Sequence, residues 1–137
     1  FQTYAAQILS NAKALAGAFL EEGFSLVTGG TQNHMLVVDT VRSVGIDGRA
    51  AEEVLDAAGI TVNKQIIPDD PNPPLRPSGI RIGTPACTTR GMKEEDMKRL
   101  AGWMIQLLRH PTDRAILKKI LSDVKEFCEM FPVPGLL

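Results

Sequence analysis

The apolar positions of this chain fall into helical and extended periods that alternate along its length. In residues 4–22, Ile8, Ala12, Leu15 and Phe19 recur at the i, i+4, i+7, i+11 spacing of one helix face, and Gly23 follows where a left-handed residue would stop it. Residues 24–28 read as a short strand, Gly29-Gly30 as a turn and residues 35–39 as a second strand, whose unbroken Met-Leu-Val-Val run predicts burial on both faces. So short a link predicts antiparallel pairing of the two. Asp47 is placed to cap a helix over 48–58, with Ala50, Val54, Leu55 and Ala58 inward and Gly59 at its end. Residues 60–63 read as a third strand.

Pro68, Pro71, Pro73, Pro74 and Pro77 then crowd into one stretch. Proline removes a backbone donor and fixes φ, so neither helix nor central strand forms there and the stretch is predicted to be a stiff loop. Residues 78–82 return to a strand, with Ile80 and Ile82 facing the core and Gly79, Arg81 and Gly83 facing the other way. An amphipathic helix over 93–108 buries Met97, Leu100, Ala101, Met104 and Leu108, and its acidic opening Glu94-Glu95-Asp96 suits the positive end of the helix dipole. Thr112 or Asp113 caps a last helix carrying Ile116, Leu117, Ile120, Val124 and Phe127 inward, halted near Pro132. The order α-β-β-α-β-β-α-α, with links too short for most parallel crossovers, predicts an α+β fold: a small, mainly antiparallel sheet covered by helices.

Composition narrows the function classes. At 137 residues, 44% hydrophobic and 23% charged, the chain has material for one compact unit with a real core. Fifteen Lys and Arg against sixteen Asp and Glu leave a formal charge of -1, so the chain lacks the basic field that dominates binding to a phosphate backbone, and nucleic acid is not an expected partner. The apolar runs are far short of the ~20 residues that cross a bilayer, and a signal-peptide pattern is missing, so neither membrane nor secretion is expected. Cys87 and Cys128 lack a CxxC or a matching His spacing, which fits two free thiols in a reducing compartment and a cytoplasmic location. The sequence opens on Phe1 rather than Met and is already helical in pattern by Ala5, as expected of a piece of something longer.

Candidate chemistry concentrates between Pro68 and Arg90, where a rigid proline loop precedes a strand carrying one arginine flanked by glycines. Gly79 and Gly83 lie on the face of Arg81 and are expected to leave it bare, so that a ligand can approach the guanidinium. That planar fork presents two parallel donors to a carboxylate or phosphate. From these residues alone, an anion grip and a salt bridge to an acidic residue of the same domain are both open. His34 stands alone at a strand entry and reads as a hydrogen-bonded structural residue. Cys87 has no histidine in register to activate it and reads as an inert thiol. Gly29-Gly30 is too short for a phosphate cradle. Glu52-Glu53 and Glu94-Glu95-Asp96 read as solvated helix faces, and the methionines and Trp103 as core or interface material. The residues thus offer one candidate anion-binding arginine and no nucleophile, base, metal site or phosphate cradle, half of an active site.

The run Ser78-Gly79-Ile80-Arg81-Ile82-Gly83-Thr84-Pro85-Ala86, followed by Thr88-Thr89-Arg90-Gly91, resembles the C-terminal signature of the serine hydroxymethyltransferase family. The likeness extends over essentially the whole chain. Asn11-Ala12-Lys13-Ala14-Leu15-Ala16 resembles the family's long linking helix, Gly29-Gly30-Thr31 to Asp39 its strand pair, and Ile60-Thr61-Val62-Asn63-Lys64 its strand before the proline loop. The resemblance implies a fold-type I (aspartate aminotransferase-like) pyridoxal-phosphate enzyme, a glycine hydroxymethyltransferase. Such an enzyme interconverts serine and glycine and passes the one-carbon unit to tetrahydrofolate. It implies a linking helix over 1–22 and a C-terminal small domain over 23–137, working with a large domain of the same protein in a homodimer or higher oligomer.

By the same resemblance Arg81 binds the amino-acid carboxylate, and Gln65, Asn72, Pro73, Pro74 and Leu75 lie at the folate site. Gln65 stands where the family often has Asn, keeping the amide but adding a methylene, and Gln32 stands in place of a usual Asp. The lysine, phosphate-binding residues, stacking histidine and pyridine-pairing aspartate that hold the cofactor belong to the family's large domain, so the isolated chain is expected to be inactive. Two other readings compete: the matching domain of another enzyme of the same fold type, such as a desulfurase or aminotransferase, and a free-standing module that docks a partner protein through Arg81 and the bare sheet face.

Overall fold

One face of a three-stranded sheet meets the apolar stripes of the helices, and the core lies between them. The structure, a computed structural model, describes residues 2–31 and 33–134. Its elements are α1 (Gln2–Glu21), β1 (Met35–Asp39), α2 (Thr40–Val44), α3 (Gly48–Ala57), β2 (Asn63–Gln65), β3 (Gly79–Gly83), α4 (Pro85–Thr89), α5 (Glu94–Arg109) and α6 (Arg114–Glu129). The sheet runs β1-β3-β2 with both pairings antiparallel, the α+β architecture that the short links predict. Leu36, Val38, Ile80 and Ile82 point into the core, against Leu15 and Phe19 of α1, Leu55 of α3, and Met97 and Met104 of α5. Helix α5 lies centrally, against α1, α3 and α6. Each long helix ends or begins as its sequence dictates. Gly23 takes φ 80° after α1, Asp47 Oδ1 accepts the Ala50 N–H at 2.8 Å to cap α3, and Asp113 Oδ1 accepts from Ala115 and Ile116 to cap α6.

Several expectations need correction. Residues 24–28 make one antiparallel bridge, Leu26 to Val38, and then turn into a 3-10 stretch, Val27–Gly29, because Thr28 takes a left-handed conformation at φ 63°. Residues 60–62 are not in the sheet. Ile60 and Val62 are buried in the core cluster, and the Ile60 N–H donates to the Leu55 carbonyl at 2.9 Å as the bond that closes α3, so the ladder starts only at Asn63. The strand β1 alternates, with Leu36 and Val38 buried and Met35, Val37 and Asp39 half-buried, because among the described residues no second layer covers its outer face. The inner face of α3 is set by Ala51, Leu55 and Ala58, with Ala50 and Val54 only half-buried. The short helices α2 and α4 carry no long apolar period. Asp39 caps the first by accepting the Arg42 N–H at 3.0 Å, and Pro85 opens the second at the first helical position, where its missing N–H costs nothing.

The N-terminus of α3 docks tightly on the start of β3. The Gly48 N–H donates to the Pro77 carbonyl at 2.6 Å, and a Cβ on Gly48 would sit 2.1 Å from the Gly79 carbonyl oxygen. Helix propensity alone favours alanine there by up to ~1 kcal/mol. The steric conflict with backbone reverses the sign: Gly48→Ala is expected to destabilise the protein by about 2–4 kcal/mol, measured by chemical denaturation. A stabilised variant would show that this close approach is wrong.

Candidate functional site

Position within the sheet decides what Arg81 can do. It is the middle residue of β3, paired with Val37 on one side and Asn63 on the other. Directly opposed residues share a face, so Arg81, Val37 and Asn63 emerge together, away from the layer of Ile80 and Ile82. Gln65 opposes Gly79 and therefore lies on the same face, one pleat along. Two arginines of the chain are half-buried, Arg81 and Arg90. Arg90 is satisfied, donating from Nε to the Phe131 carbonyl at 2.6 Å and from Nη2 to the Cys128 carbonyl at 3.1 Å. The ion pairs of the described residues engage Arg49, Lys64, Arg76, Lys98 and Arg109. Arg81 has neither an ion pair nor a hydrogen bond among them, so its planar fork stands ready for an external anion.

The flanking glycines have different roles. Gly83 is exposed, and a Cβ there would meet only ordinary contacts, the nearest at 3.7 Å, so the end of the strand is open. Gly79 is buried: a Cβ would lie 2.9 Å from both the Ile67 Cγ2 and the Val38 carbonyl oxygen. Its missing side chain admits Ile67 rather than a ligand, which corrects the expectation that both glycines leave the face bare.

The strands β2 and β3 are joined by residues 66–78, the proline loop, which leaves beside Gln65 and returns beside Gly79. Asp70 organises it. Its Oδ2 accepts the N–H groups of Ile67 at 3.3 Å and Ser78 at 2.9 Å, while its Oδ1 accepts the Asn72 N–H at 2.9 Å and the Ser78 hydroxyl at 2.7 Å. These donors favour the ionised form, and the Ser78 N–H foremost brings the Asp70 carboxyl down to about 2. A second brace joins Arg76 Nη1 to Asp47 Oδ2 at 3.1 Å. The Asn72 amide donates to the Arg76 carbonyl at 3.1 Å, so this side chain closes the loop on itself. Gln65 donates to the neighbouring Ile66 carbonyl at 3.0 Å. Pro73 and Pro74 are exposed, and Leu75 is 74% exposed at the tip. The fold thus brings Arg81 and Gln65 to one sheet face and Asn72, Pro73, Pro74 and Leu75 to the loop that rises from the same end.

Other candidates have other settings. The His34 ring is exposed, and its backbone carbonyl, not its ring, receives the Thr84 N–H at 3.1 Å. Cys87 and Cys128 are free thiols beside an apolar cavity of about 280 Å³. Burial pushes the Cys87 thiol up from its ordinary value, the opposite of an activated nucleophile. Glu52 accepts the Lys64 N–H at 2.9 Å and so tethers β2 to α3. Gln32 lies outside the described residues. No helix among them is long and apolar enough to cross a membrane. Asp70 itself carried one legible signal, an Asp inside a proline-rich turn, where short carboxylates hydrogen-bond nearby backbone.

The family model described as serine hydroxymethyltransferase matches residues 1–104. The chain belongs to the serine hydroxymethyltransferase family. It is 50% identical over 137 residues to a protein named serine hydroxymethyltransferase from Acidobacterium capsulatum, covering 100% of this chain and 32% of that protein. It is 47% identical over 133 residues to one of the same name from Koribacter versatilis, covering 97% of this chain and 31% of that protein. The chain therefore spans about a third of the length of these relatives.

The family's cofactor does not fit the residues of this chain. A Schiff-base amine needs a desolvated or charge-crowded setting, whereas every lysine here is exposed, and Lys64, the one in the sheet, sits on the face opposite Arg81. Among the described residues stand a half-buried guanidinium without an ion pair and, beside it, a loop braced by Asp70.

The depressed Asp70 value has a consequence for pH. Because the folded carboxyl titrates near about 2 and the ordinary value is 3.8, its bracing is complete above about 4 and is lost as pH falls through about 2. The amide proton shifts of Asn72 and Ser78 are expected to titrate together with a midpoint near about 2. A midpoint at 3.8 would show that the carboxylate does not hold the loop.

Proposed function

We propose that this chain is the C-terminal part of a serine hydroxymethyltransferase, in which it supplies the arginine that grips the amino-acid carboxylate and one wall of the folate site. The parent enzyme interconverts serine and glycine and passes the one-carbon unit to tetrahydrofolate. It works as a cytoplasmic homodimer or higher oligomer, with pyridoxal phosphate held by the remainder of the polypeptide. That cofactor, when bound, supplies an electron sink for bonds to the substrate α-carbon. This chain's part is to bind and orient.

The observation that carries the reading is the half-buried Arg81, free of partners among the described residues. Water is partly excluded around it by Val37 and the neighbouring strands, which strengthens a charge-assisted pair with a carboxylate. Two parallel N–H···O bonds fix the plane of the carboxylate, and thereby the direction of the Cα substituents. The strand keeps the guanidinium in place before substrate arrives, which lowers the entropic cost of binding. The loop residues Pro73, Pro74 and Leu75 present apolar, conformationally stiff surface suited to a flat aromatic ligand such as the pterin ring, and Gln65 supplies an amide on the same side.

The reading is tested in the full-length enzyme by Arg81→Lys. Losing the fork is expected to weaken serine and glycine binding by about 1.5–3 kcal/mol, measured calorimetrically, with the cofactor absorbance band retained. Unchanged amino-acid affinity would remove the role assigned to Arg81.

A further inference from the structure

The two ligand contacts of the proposed function, the carboxylate fork and the folate-side loop, lie on different secondary structure, and something must set one relative to the other. Asp70 braces the loop from within, up to Ser78, the loop residue that adjoins the first residue of β3. Within the loop it binds the backbone of Ile67 and Asn72, and at the base of β3 it binds Ser78 through backbone and hydroxyl. Ser78 is followed by Gly79, which is packed against Ile67 with no room for a side chain, so the contact point cannot slide. Asp69 beside it adopts a left-handed φ of 56°, a tight bend in the chain next to the Asp70 carboxylate.

We propose that Asp70 is a positioning residue for tetrahydrofolate: its carboxylate fixes the pose of the loop carrying Asn72, Pro73, Pro74 and Leu75 relative to the strand carrying Arg81, without itself touching either ligand. This rests on the reading given under Proposed function. The requirement is for an ionised carboxylate and not merely a polar group of that size. Both oxygens accept two donors each, and three of the four donors are backbone N–H groups, which cannot reverse their polarity. An asparagine would keep one accepting oxygen and turn its NH₂ toward backbone donors, opening the loop on one side.

The position in the fold predicts an uneven effect on the two ligands. Arg81 is held by ladder pairing to β1 and β2, so its grip survives loosening of the loop. The exposed tip has no ladder pairing, so its pose depends on the bonds that close the loop, those of Asp70 among them.

In the full-length holoenzyme, Asp70→Asn is expected to raise the KM for tetrahydrofolate roughly 10- to 100-fold, as a displacement of about 1 Å does to an oriented ligand. The KM for serine, kcat at saturating folate and the cofactor absorbance band should stay within about twofold. Ser78→Ala removes only the hydroxyl bond and should raise the folate KM by about two- to fivefold in the same direction. Equal losses for serine and folate in Asp70→Asn would make Asp70 a general structural residue and overturn the proposal, as would an unchanged folate KM. If Asp70→Asn does not accumulate as folded enzyme, Ser78→Ala decides, and an unchanged folate KM there overturns the proposal. A wild-type enzyme whose serine cleavage is independent of tetrahydrofolate would instead overturn the family function, and this proposal with it.

Discussion

The antiparallel pairing of β3 with strands on both sides is the constraint from which the rest follows. Because the side chains of a strand alternate, one register decides that Ile80 and Ile82 enter the core and that Arg81 emerges between Val37 and Asn63. A slip of one residue would bury the guanidinium among Leu36, Val38 and the helices, where an unpaired charge is untenable. The apolar layer and the outward-facing cation therefore enforce each other. The hydrophobic core that stabilises the fold is also the device that aims the one unpaired, half-buried cation among the described residues.

The strand is clamped at both ends as well as along its sides. At its start, Asp70 holds Ser78, and Gly48 of α3 lies close enough to Pro77 and Gly79 to exclude a methyl group. At its end, the Thr84 hydroxyl donates to the Ile8 carbonyl of α1 at 3.0 Å and its N–H to the His34 carbonyl at 3.1 Å. One turn further, buried Asn11 donates to the Thr88 hydroxyl at 2.9 Å and the Met92 carbonyl at 3.0 Å. These side-chain bonds tie α1 and α4 to the sheet at the place where the chain leaves β3. A group held in this way loses little freedom when a ligand arrives, which is what a binding residue on a rigid element requires.

The sequence was most legible where one period ran long enough to be unambiguous. The helices α1, α5 and α6 and the inward Ile80 and Ile82 follow directly from apolar spacing, and Asp47 and Asp113 cap the helices they precede. The strand edges were harder because they depend on distant partners. Residues 60–62 have strand composition, yet burial of Ile60 and Val62 in the core just after α3 competes with ladder pairing and wins. Period-two alternation leaves the Gly79 position bare on the face of Arg81, but it cannot tell that Ile67 from the loop returns to fill it. The family motif marked the outward face and the proline loop together. It did not mark Asp70, whose importance lies in four bonds that exist only once the loop has closed.

The central claim is that Arg81 meets the substrate carboxylate directly, and a crystal structure of the full-length enzyme with glycine bound tests it at the level of atoms. The account predicts two parallel N–H···O contacts of about 2.7–2.9 Å between the Arg81 guanidinium and the glycine carboxylate. A glycine carboxylate bound by other groups, with Arg81 paired to an acidic side chain from the rest of the polypeptide, would contradict it.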